Sequence, residues 1–132
     1  MSRDDLIWAA GFFDGEGCVL IRKNGRTYVV RITVSQVNPT PVRLLKDLFR
    51  GHISYQQPKN KNWSAQWKWE QDSKSAVETL KLLLPFLKVK ADVAELAIEF
   101  QKGKKRGNKP TDADVERELT FKERISVLNR KD

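Results

Sequence analysis

The fold of this chain is decided close to its start by the stretch Ala9-Ala10-Gly11-Phe12-Phe13-Asp14-Gly15-Glu16-Gly17. Before it, Ser2 and Asp5 have the spacing of a helix-capping box. An apolar face then follows at helical spacing, formed by Leu6, Ala9, Ala10 and Phe13. We expect a helix that Gly15 and Gly17 end, so that Glu16 is a carboxylate at a helix terminus beside a strand.

Two strand pairs are predicted after this helix. The β-branched runs Cys18–Lys23 and Thr27–Ser35 indicate strands, and the Asn-Gly pair between them is a strong signal for a short hairpin turn. A second pair is predicted at residues 53–55 and 63–70, with a turn at Pro58–Asn62. Polar and apolar side chains alternate along these strands, which predicts a sheet with one buried face.

Further helices are predicted from capping residues and helical spacing. Thr40-Pro41 begins a helix over Val42–Arg50, and Ser75–Glu78 is a second capping box. Another helix begins near Lys90, and Thr111–Asp114 caps a final helical region. The order α-β-β-α-β-β-α-α indicates an α+β fold, because hairpin-linked strands do not alternate with crossover helices.

Length and composition limit the classes of protein. With 132 residues and 39% apolar side chains, the chain is long enough for one domain, residues 1–132, and too short for two of ordinary size. A single cysteine excludes an internal disulfide, and we see neither a signal peptide nor a membrane span. We expect an intracellular protein, in a bacterial cytoplasm or an organelle, without a membrane partner. The net charge of +8 favours a polyanionic partner.

Residues 9–17 resemble the LAGLIDADG motif of the homing endonucleases in its frequent GFFDGEG form, with the aromatic Trp8 before it. Ala9 stands where that motif begins with leucine. The predicted order of elements is also that of the LAGLIDADG core. The resemblance implies an αββαββα core with C-terminal helices and a saddle-shaped antiparallel sheet. It also implies a site-specific endonuclease that cuts double-stranded DNA to leave short 3′ overhangs, with Mg²⁺ or with Mn²⁺ as a substitute.

The same resemblance implies which residues carry the chemistry. Glu16 matches the metal-binding acid, and Gly15 matches a position whose carbonyl can join the coordination. Gln36 matches a polar residue that orders water near the metals. Lys90 matches the second lysine of a PFL-K-x-K segment, where it would stabilise negative charge in the transition state. A solvated lysine that opens a helix is the alternative for Lys90, and Asp14 matches a structural acid.

A single carboxylate is a poor site for Mg²⁺, which requires a near-octahedral set of oxygen ligands. A two-fold homodimer would supply a second Glu16 and give one acid to each DNA strand. Ala10, Gly11 and Gly15 are small enough for two helices to approach closely. We therefore expect a homodimer bound to double-stranded DNA.

A twisted antiparallel ribbon can lie in the major groove and present its polar face to base edges. A strand of about nine residues spans roughly 30 Å, so two subunits would cover about 18 to 20 base pairs of a near-palindromic target. The predicted DNA-binding residues are Leu20, Arg22, Asn24, Arg26, Arg31, Thr33, Gln56, Gln66 and Lys68. The alternative is that they form only the solvent face of the sheet.

Two other functions remain open. The homing endonucleases often have an arginine shortly after the Gln36 position, whereas residues 37–40 contain none and Arg43 lies farther along. A DNA-binding protein without cleavage, or an RNA maturase on the same scaffold, would fit that gap, and a basic interaction module is the third reading. The basic segment Lys102–Lys109 is either a phosphate contact or a linker.

Overall fold

The helices and strands follow the predicted order. The structure is a computed structural model that describes residues 1–104 and 109–130. Its elements in those ranges are α1 (Arg3–Glu16), β1 (Gly17–Asn24), β2 (Thr27–Gln36), α2 (Pro39–Phe49), β3 (His52–Gln56), β4 (Gln66–Asp72), α3 (Ser73–Leu83), a 3₁₀ turn (Leu84–Phe86), α4 (Ala91–Lys102) and α5 (Asp112–Arg130). The predicted α+β class is confirmed, with α4 and α5 following an αββαββα core.

The four strands form one antiparallel sheet in the order β1-β2-β4-β3. Both predicted hairpins are present, and pairing between β2 and β4 joins them at the centre of the sheet. Because side chains alternate along each strand, the sheet has an apolar inner face and a polar outer face. Buried side chains of the inner face include Val19, Ile21, Tyr28, Val30, Ile32, Val34 and Trp69.

The helices supply the rest of the core. Helix α1 buries Ala9, Ala10 and Phe13, as the helical spacing predicted. The other helices add Val42, Leu45 and Phe49 from α2, Val77, Leu80 and Leu83 from α3, Val93, Ala97 and Phe100 from α4, and Ile125 from α5. These side chains form one cluster with the inner face of the sheet.

The first hairpin turns one residue later than the sequence predicted. Asn24 pairs with Thr27, so Asn24 is the last residue of β1, and Gly25 and Arg26 form the loop. Gly25 has a φ of 64°, a left-handed conformation that other residues adopt only with strain. The loop is therefore placed where its glycine can take the positive φ.

The end of α1 differs from the predicted glycine cap. Gly15 is still helical, and α1 continues to Glu16. Gly17 has a φ of −84°, which any residue adopts, but a Cβ at this position would lie 2.3 Å from Cδ1 of Phe13. Glycine is needed here because the chain passes so close to the Phe13 ring, and not because of a left-handed cap.

Helix α2 begins before its predicted cap at Thr40. Asn38 is the N-cap, since its side-chain oxygen accepts a hydrogen bond of 3.0 Å from the N–H of Thr40. Pro39 then occupies the first helical turn, where its missing N–H costs nothing. The asparagine and not the threonine therefore satisfies the free N–H groups at the start of this helix.

Helix α3 also begins earlier than predicted, at Ser73, immediately after β4. The predicted capping box Ser75–Glu78 consequently lies inside the helix. Asp72 is the N-cap residue, but it makes no side-chain hydrogen bond to the helix. Its carboxylate instead accepts two hydrogen bonds from Arg31 on β2.

Strand β4 begins at Gln66, later than the predicted start at Trp63. The chain before it makes a local turn, in which the N–H of Trp63 donates to the carbonyl of Asn60 at 3.0 Å. Trp63 is 61% exposed and lies outside the strand. Trp69 is buried, and Trp67 packs against Tyr55 with ring centroids 4.9 Å apart.

Helix α5 is bound to the sheet by polar contacts. The predicted cap at Thr111–Asp114 is confirmed by two reciprocal hydrogen bonds. The buried carboxylate of Glu118 accepts hydrogen bonds from the N–H of Tyr28 and from Nζ of Lys104. Residues 105–108 of the predicted basic segment lie outside the described residues. Among the described helices, none is long and apolar enough to cross a membrane.

Two glycines with positive φ provide a test of the fold. Gly51 has a φ of 96°, and an added Cβ would lie 2.7 Å from Nε1 of Trp69, whereas a Cβ on Gly25 would meet no atom within 4 Å. Gly25→Ala should cost about 1 to 2 kcal/mol of unfolding free energy from backbone strain alone. Gly51→Ala adds a steric clash of about 1 to 3 kcal/mol. Urea denaturation measures both, and equal losses would contradict the packing at Gly51.

Candidate active site and DNA-binding face

The structure brings Glu16 and Gln36 together at one end of the sheet. Glu16 is the last residue of α1 and is exposed, and Gln36 is the last residue of β2. The antiparallel register pairs Gly17 with Val34, which places the ends of α1 and β2 side by side. Nε2 of Gln36 donates a hydrogen bond of 3.2 Å to Oε2 of Glu16. Two residues that the sequence singled out for chemistry are therefore in contact.

Asp14 connects the end of α1 to the segment before α4. Its carboxylate accepts hydrogen bonds from three successive backbone N–H groups, at 2.6 Å from Lys88, 3.2 Å from Val89 and 3.0 Å from Lys90. A carboxylate that accepts several N–H bonds is held firmly and has little capacity left for a metal ion. Asp14 thus has the contacts of the structural acid that the sequence predicted.

Lys90 lies at the same helix end. Its Nζ donates a hydrogen bond of 2.7 Å to the backbone carbonyl of Asp14, where the partial negative charge at the C-terminus of α1 favours a cation.

Burial raises the pKa of the nearby Cys18 thiol, and the ammonium groups of Lys90 and Lys68 oppose that rise. The thiol therefore stays protonated at neutral pH, and two lysines surround the start of β1 next to Glu16.

The strand register places the predicted DNA-binding side chains on the outer face of the sheet. Leu20 pairs with Arg31, Gln56 pairs with Gln66, and Thr33 lies opposite Glu70. Asn24, Arg26, Gln56 and Gln66 are exposed, and Leu20, Arg22, Arg31, Thr33 and Lys68 are half-buried. The residues expected to face a partner thus share one surface, but they are not equally free to contact it.

Five charged side chains form a connected row across the middle of this face, which we call the ion-pair row: Arg22, Asp72, Arg31, Glu70 and Lys68. Nε and Nη2 of Arg31 donate to the two carboxylate oxygens of Asp72 at 2.7 and 2.9 Å. Weaker pairs extend the row, from Arg22 to Asp72 at 3.7 Å, from Arg31 to Glu70 at 3.4 Å and from Lys68 to Glu70 at 3.8 Å.

The pair at the centre of the ion-pair row perturbs both of its members. Hydrogen bonds from Arg31 hold the pKa of the Asp72 carboxyl below its ordinary value, and the same hydrogen bonds raise the pKa of Arg31. Both groups are therefore charged at neutral pH. Arg31 was expected to be an exposed base reader, whereas its side chain is only 23% exposed and is bound by carboxylates.

Arg26 lies in the loop of the first hairpin and is paired within the chain. Its guanidinium donates to the carbonyl of Pro110 at 2.6 Å and to the carboxylate of Asp112. These contacts attach the tip of the first hairpin to the start of α5. The Arg26 side chain is still 54% exposed, so its contact with DNA stays a prediction.

The outer side of α1 is apolar and exposed. Ile7 and Trp8 are 40% and 38% exposed, and Trp8 stacks on Phe12 with ring centroids 5.4 Å apart. A Cβ on Gly11 or Gly15 would meet no atom within 4 Å. We call this surface the α1 outer face, made of Ile7, Trp8, Gly11, Phe12 and Gly15. It ends at Glu16, so the acid lies at the edge of an apolar surface.

No family model matches this sequence, and no curated protein matches it. Solved structures match it closely in fold. One is the homing endonuclease I-CvuI, in a complex with the I-CreI target in the presence of Mg, in which the DNA is not cleaved. Its TM-score is 0.78 at 19% identity, and the match covers 96% of this chain and 85% of that one. The chain has the LAGLIDADG homing endonuclease fold.

Other neighbours have the same fold. The archaeal intron-encoded homing endonuclease I-Vdi141I, complexed with DNA, has a TM-score of 0.78 at 15% identity, covering 95% of this chain and 84% of that one. The LAGLIDADG meganuclease I-AabMI, bound to uncleaved DNA, has a TM-score of 0.65 at 19% identity. That match covers 88% of this chain but 43% of the other, so I-AabMI is about twice as long.

Structures with the LAGLIDADG fold have been solved with Mg or Ca present. The residues at the end of α1 can therefore be compared with the ligands that a divalent cation requires. The described residues contain no group of three or more His, Cys, Asp or Glu side chains that could hold a metal ion. The available donors are oxygen atoms, the Glu16 carboxylate and the Gly15 carbonyl, which are of the type that Mg²⁺ and Ca²⁺ prefer. The donor chemistry fits, but one chain supplies only part of a site.

Sequence reasoning missed Asp72 and Glu70 as ion-pair partners of Arg31 on the polar face. A signal for them was present, because Lys68, Glu70 and Asp72 alternate along one strand and must share a face. What could not be read from the sequence is the register between β2 and β4, which sets Arg31 opposite Asp72. The missing information was therefore the strand pairing and not the residue types.

The roles of the two acids of α1 can be separated by their effects on stability. Asp14→Asn leaves one oxygen to accept from three N–H groups and should cost about 2 kcal/mol of unfolding free energy. Glu16→Gln should change it by less than about 0.5 kcal/mol, because the side chain is exposed. Urea denaturation measures both, with Asp47→Asn on the exposed side of α2 as control. A larger loss for Glu16→Gln than for Asp14→Asn would contradict this assignment.

Proposed function

We propose that this chain is a site-specific endonuclease that cuts double-stranded DNA as a homodimer, with Mg²⁺, or Mn²⁺ as a substitute. The observation that carries the proposal is the position of Glu16, an exposed carboxylate at the end of a helix, in contact with Gln36. Its neighbour Asp14 has a structural partner for each oxygen, whereas Glu16 is left available. The fold that the chain shares with homing endonucleases complexed with DNA supports the same function.

The dimer follows from the α1 outer face. A helix that is apolar on both sides is stable when both sides are covered, and only the inner side of α1 is covered within the chain. A second copy placed against Ile7, Trp8 and the two open glycines would bury this surface and bring two Glu16 carboxylates together. The match to this chain covers 43% of I-AabMI, so I-AabMI is long enough to contain two such domains. This length supports a functional unit of two domains.

The chemistry uses four groups at the end of α1. Glu16 and the Gly15 carbonyl would hold divalent cations, which lower the pKa of bound water and stabilise charge on a phosphate. Gln36 donates to Glu16 and thereby orients the carboxylate. Lys90, held by the Asp14 carbonyl, keeps a positive charge where it stabilises a negatively charged phosphate.

DNA would lie on the outer face of the sheet. The net charge of +8 favours a polyanion, and two copies of the sheet would span about 18 to 20 base pairs of a near-palindromic site. Within the set predicted from sequence, the exposed amides of Gln56 and Gln66 and the half-buried Leu20, Arg22, Arg31, Thr33 and Lys68 face the proposed partner. Arg26, paired with Asp112 at the hairpin tip, would reach it from the edge of this face. Asn24 would contact it from the end of β1.

A DNA-binding protein without cleavage, or an RNA maturase, is the second candidate. It is favoured by the absence of arginine from residues 37–40 and by the hydrogen bond that binds Lys90 to the Asp14 carbonyl. It shares the dimer and the DNA-binding face with the first candidate. Cutting of duplex DNA is the property that separates the two, and salt-sensitive DNA binding separates both from a basic interaction module.

The endonuclease proposal is tested by selecting cleaved sites from a randomised duplex pool in the presence of Mg²⁺. Glu16→Gln should abolish cutting of the selected site, because an amide is a weak metal ligand, while duplex affinity stays within about threefold, since binding by the outer face is unchanged. Glu78→Gln, an exposed change on α3, is the matched control and should cut normally. Continued metal-dependent cutting by Glu16→Gln would refute the role of Glu16. Binding without cutting by the wild type would favour the second candidate.

The dimer is tested by Gly11→Leu. The new side chain points into open space in one chain, so the fold is kept, but it would obstruct a second α1. Overpacking of about 1 to 3 kcal/mol should raise the dimer dissociation constant by at least about tenfold. Sedimentation velocity without DNA measures this, with Ala113→Leu on the exposed first turn of α5 as control. A Gly11→Leu dimer as tight as the wild type would place the interface elsewhere.

A further inference from the structure

We infer that Arg31 reads a guanine in each half of the DNA target and that Asp72 is the residue that positions it. The inference rests on the proposed DNA binding and adds to it the base that is read and the residue that orients the reader. Its starting point is the ion-pair row, whose two carboxylates lie in the middle of a surface proposed to meet a polyanion.

The contacts of Arg31 differ between the two edges of its guanidinium. A guanidinium has five N–H donors, and Asp72 accepts one from Nε and one from Nη2. Nη1 forms a longer ion pair with Glu70 at 3.4 Å, which makes no hydrogen bond. Nη1 and Nη2 together form the fork that matches O6 and N7 of guanine. Asp72 thus binds the side of the guanidinium, and a base at its end would replace the longer pair with Glu70.

Asp72 would contribute to readout in two ways. It fixes the rotamer of a long side chain before DNA arrives, so that less conformational entropy is lost on binding. Its negative charge also offsets the positive charge of Arg31, which weakens the attraction of Arg31 to DNA phosphates whatever the sequence. The directional hydrogen bonds of Arg31 to a base then make up a larger share of its binding to DNA. The lowered pKa of Asp72 keeps this pair charged at neutral pH, which both effects require.

A contribution of the ion-pair row to folding does not exclude a role in recognition. An isolated exposed pair contributes about 0 to 1 kcal/mol to folding, and the bidentate pair of Arg31 with Asp72, 23% and 37% exposed, belongs to a network that stabilises the fold more than that. Asp72 makes no cap hydrogen bond to α3, although it occupies the N-cap position, so its carboxylate is committed to Arg31. The pair lies on β2 and β4, the two central strands of the sheet, in the middle of the face proposed to bind DNA.

The test is selection of bound duplexes from a randomised pool, without any need for cleavage. The wild type should select a guanine at one symmetric position in each half-site, by about tenfold or more over other bases. Arg31→Lys keeps the charge but loses the fork, so this preference should disappear while the rest of the consensus stays. Asp72→Asn should reduce the preference at the same position severalfold and increase affinity for unrelated duplex. Asp47→Asn, an equal change on α2, should alter neither.

Two outcomes would overturn the inference alone. One is a consensus whose guanines persist unchanged in Arg31→Lys, and the other is an Asp72→Asn protein whose affinity changes by the same factor for every sequence. Either result would leave the proposed DNA binding standing. A wild type that selects no duplex at all would overturn the inference together with the proposed function. Circular dichroism of each variant excludes unfolding as the cause, and Asn is itself a good N-cap residue.

Discussion

The interaction on which the site depends is the binding of three backbone N–H groups by the carboxylate of Asp14. It joins the last turn of α1 to the segment that leads into α4, and through the Asp14 carbonyl it also holds Lys90. Because α1 is fixed there, the residues that follow have defined positions. Glu16 is therefore presented to solvent at a rigid helix end.

The end of α1 divides two tasks between acids that are two residues apart in sequence. Asp14 faces the neighbouring segment and has partners in the fold, while Glu16 faces outward and contacts Gln36. Phe13 and Gly17 make this geometry possible, since the chain turns into β1 so close to the Phe13 ring that only a glycine fits. The α1 outer face then leads directly to Glu16, so a partner bound to that face would lie next to the acid.

Much of the fold could be predicted from local signals, and the rest depended on contacts between distant residues. The capping boxes at Ser2 and Thr111 and the apolar spacing of the helices are local, and they were correct. The pairing of Asp72 with Arg31 and of Arg26 with Asp112 joins residues 41 and 86 positions apart in sequence. In the candidate site, the contact between Glu16 and Gln36 could be anticipated from their motif positions, whereas the ion-pair row required the register of β2 and β4.

The central claim is that two copies of Glu16 share divalent cations where one duplex crosses the dimer. A crystal structure of the protein with its selected duplex and Mn²⁺, located by anomalous scattering, tests it most directly. The account predicts two chains per duplex, in contact through α1, with each Glu16 carboxylate at about 2.0 to 2.6 Å from a cation between them. A single chain on the duplex, or cations bound away from both glutamates, would contradict it.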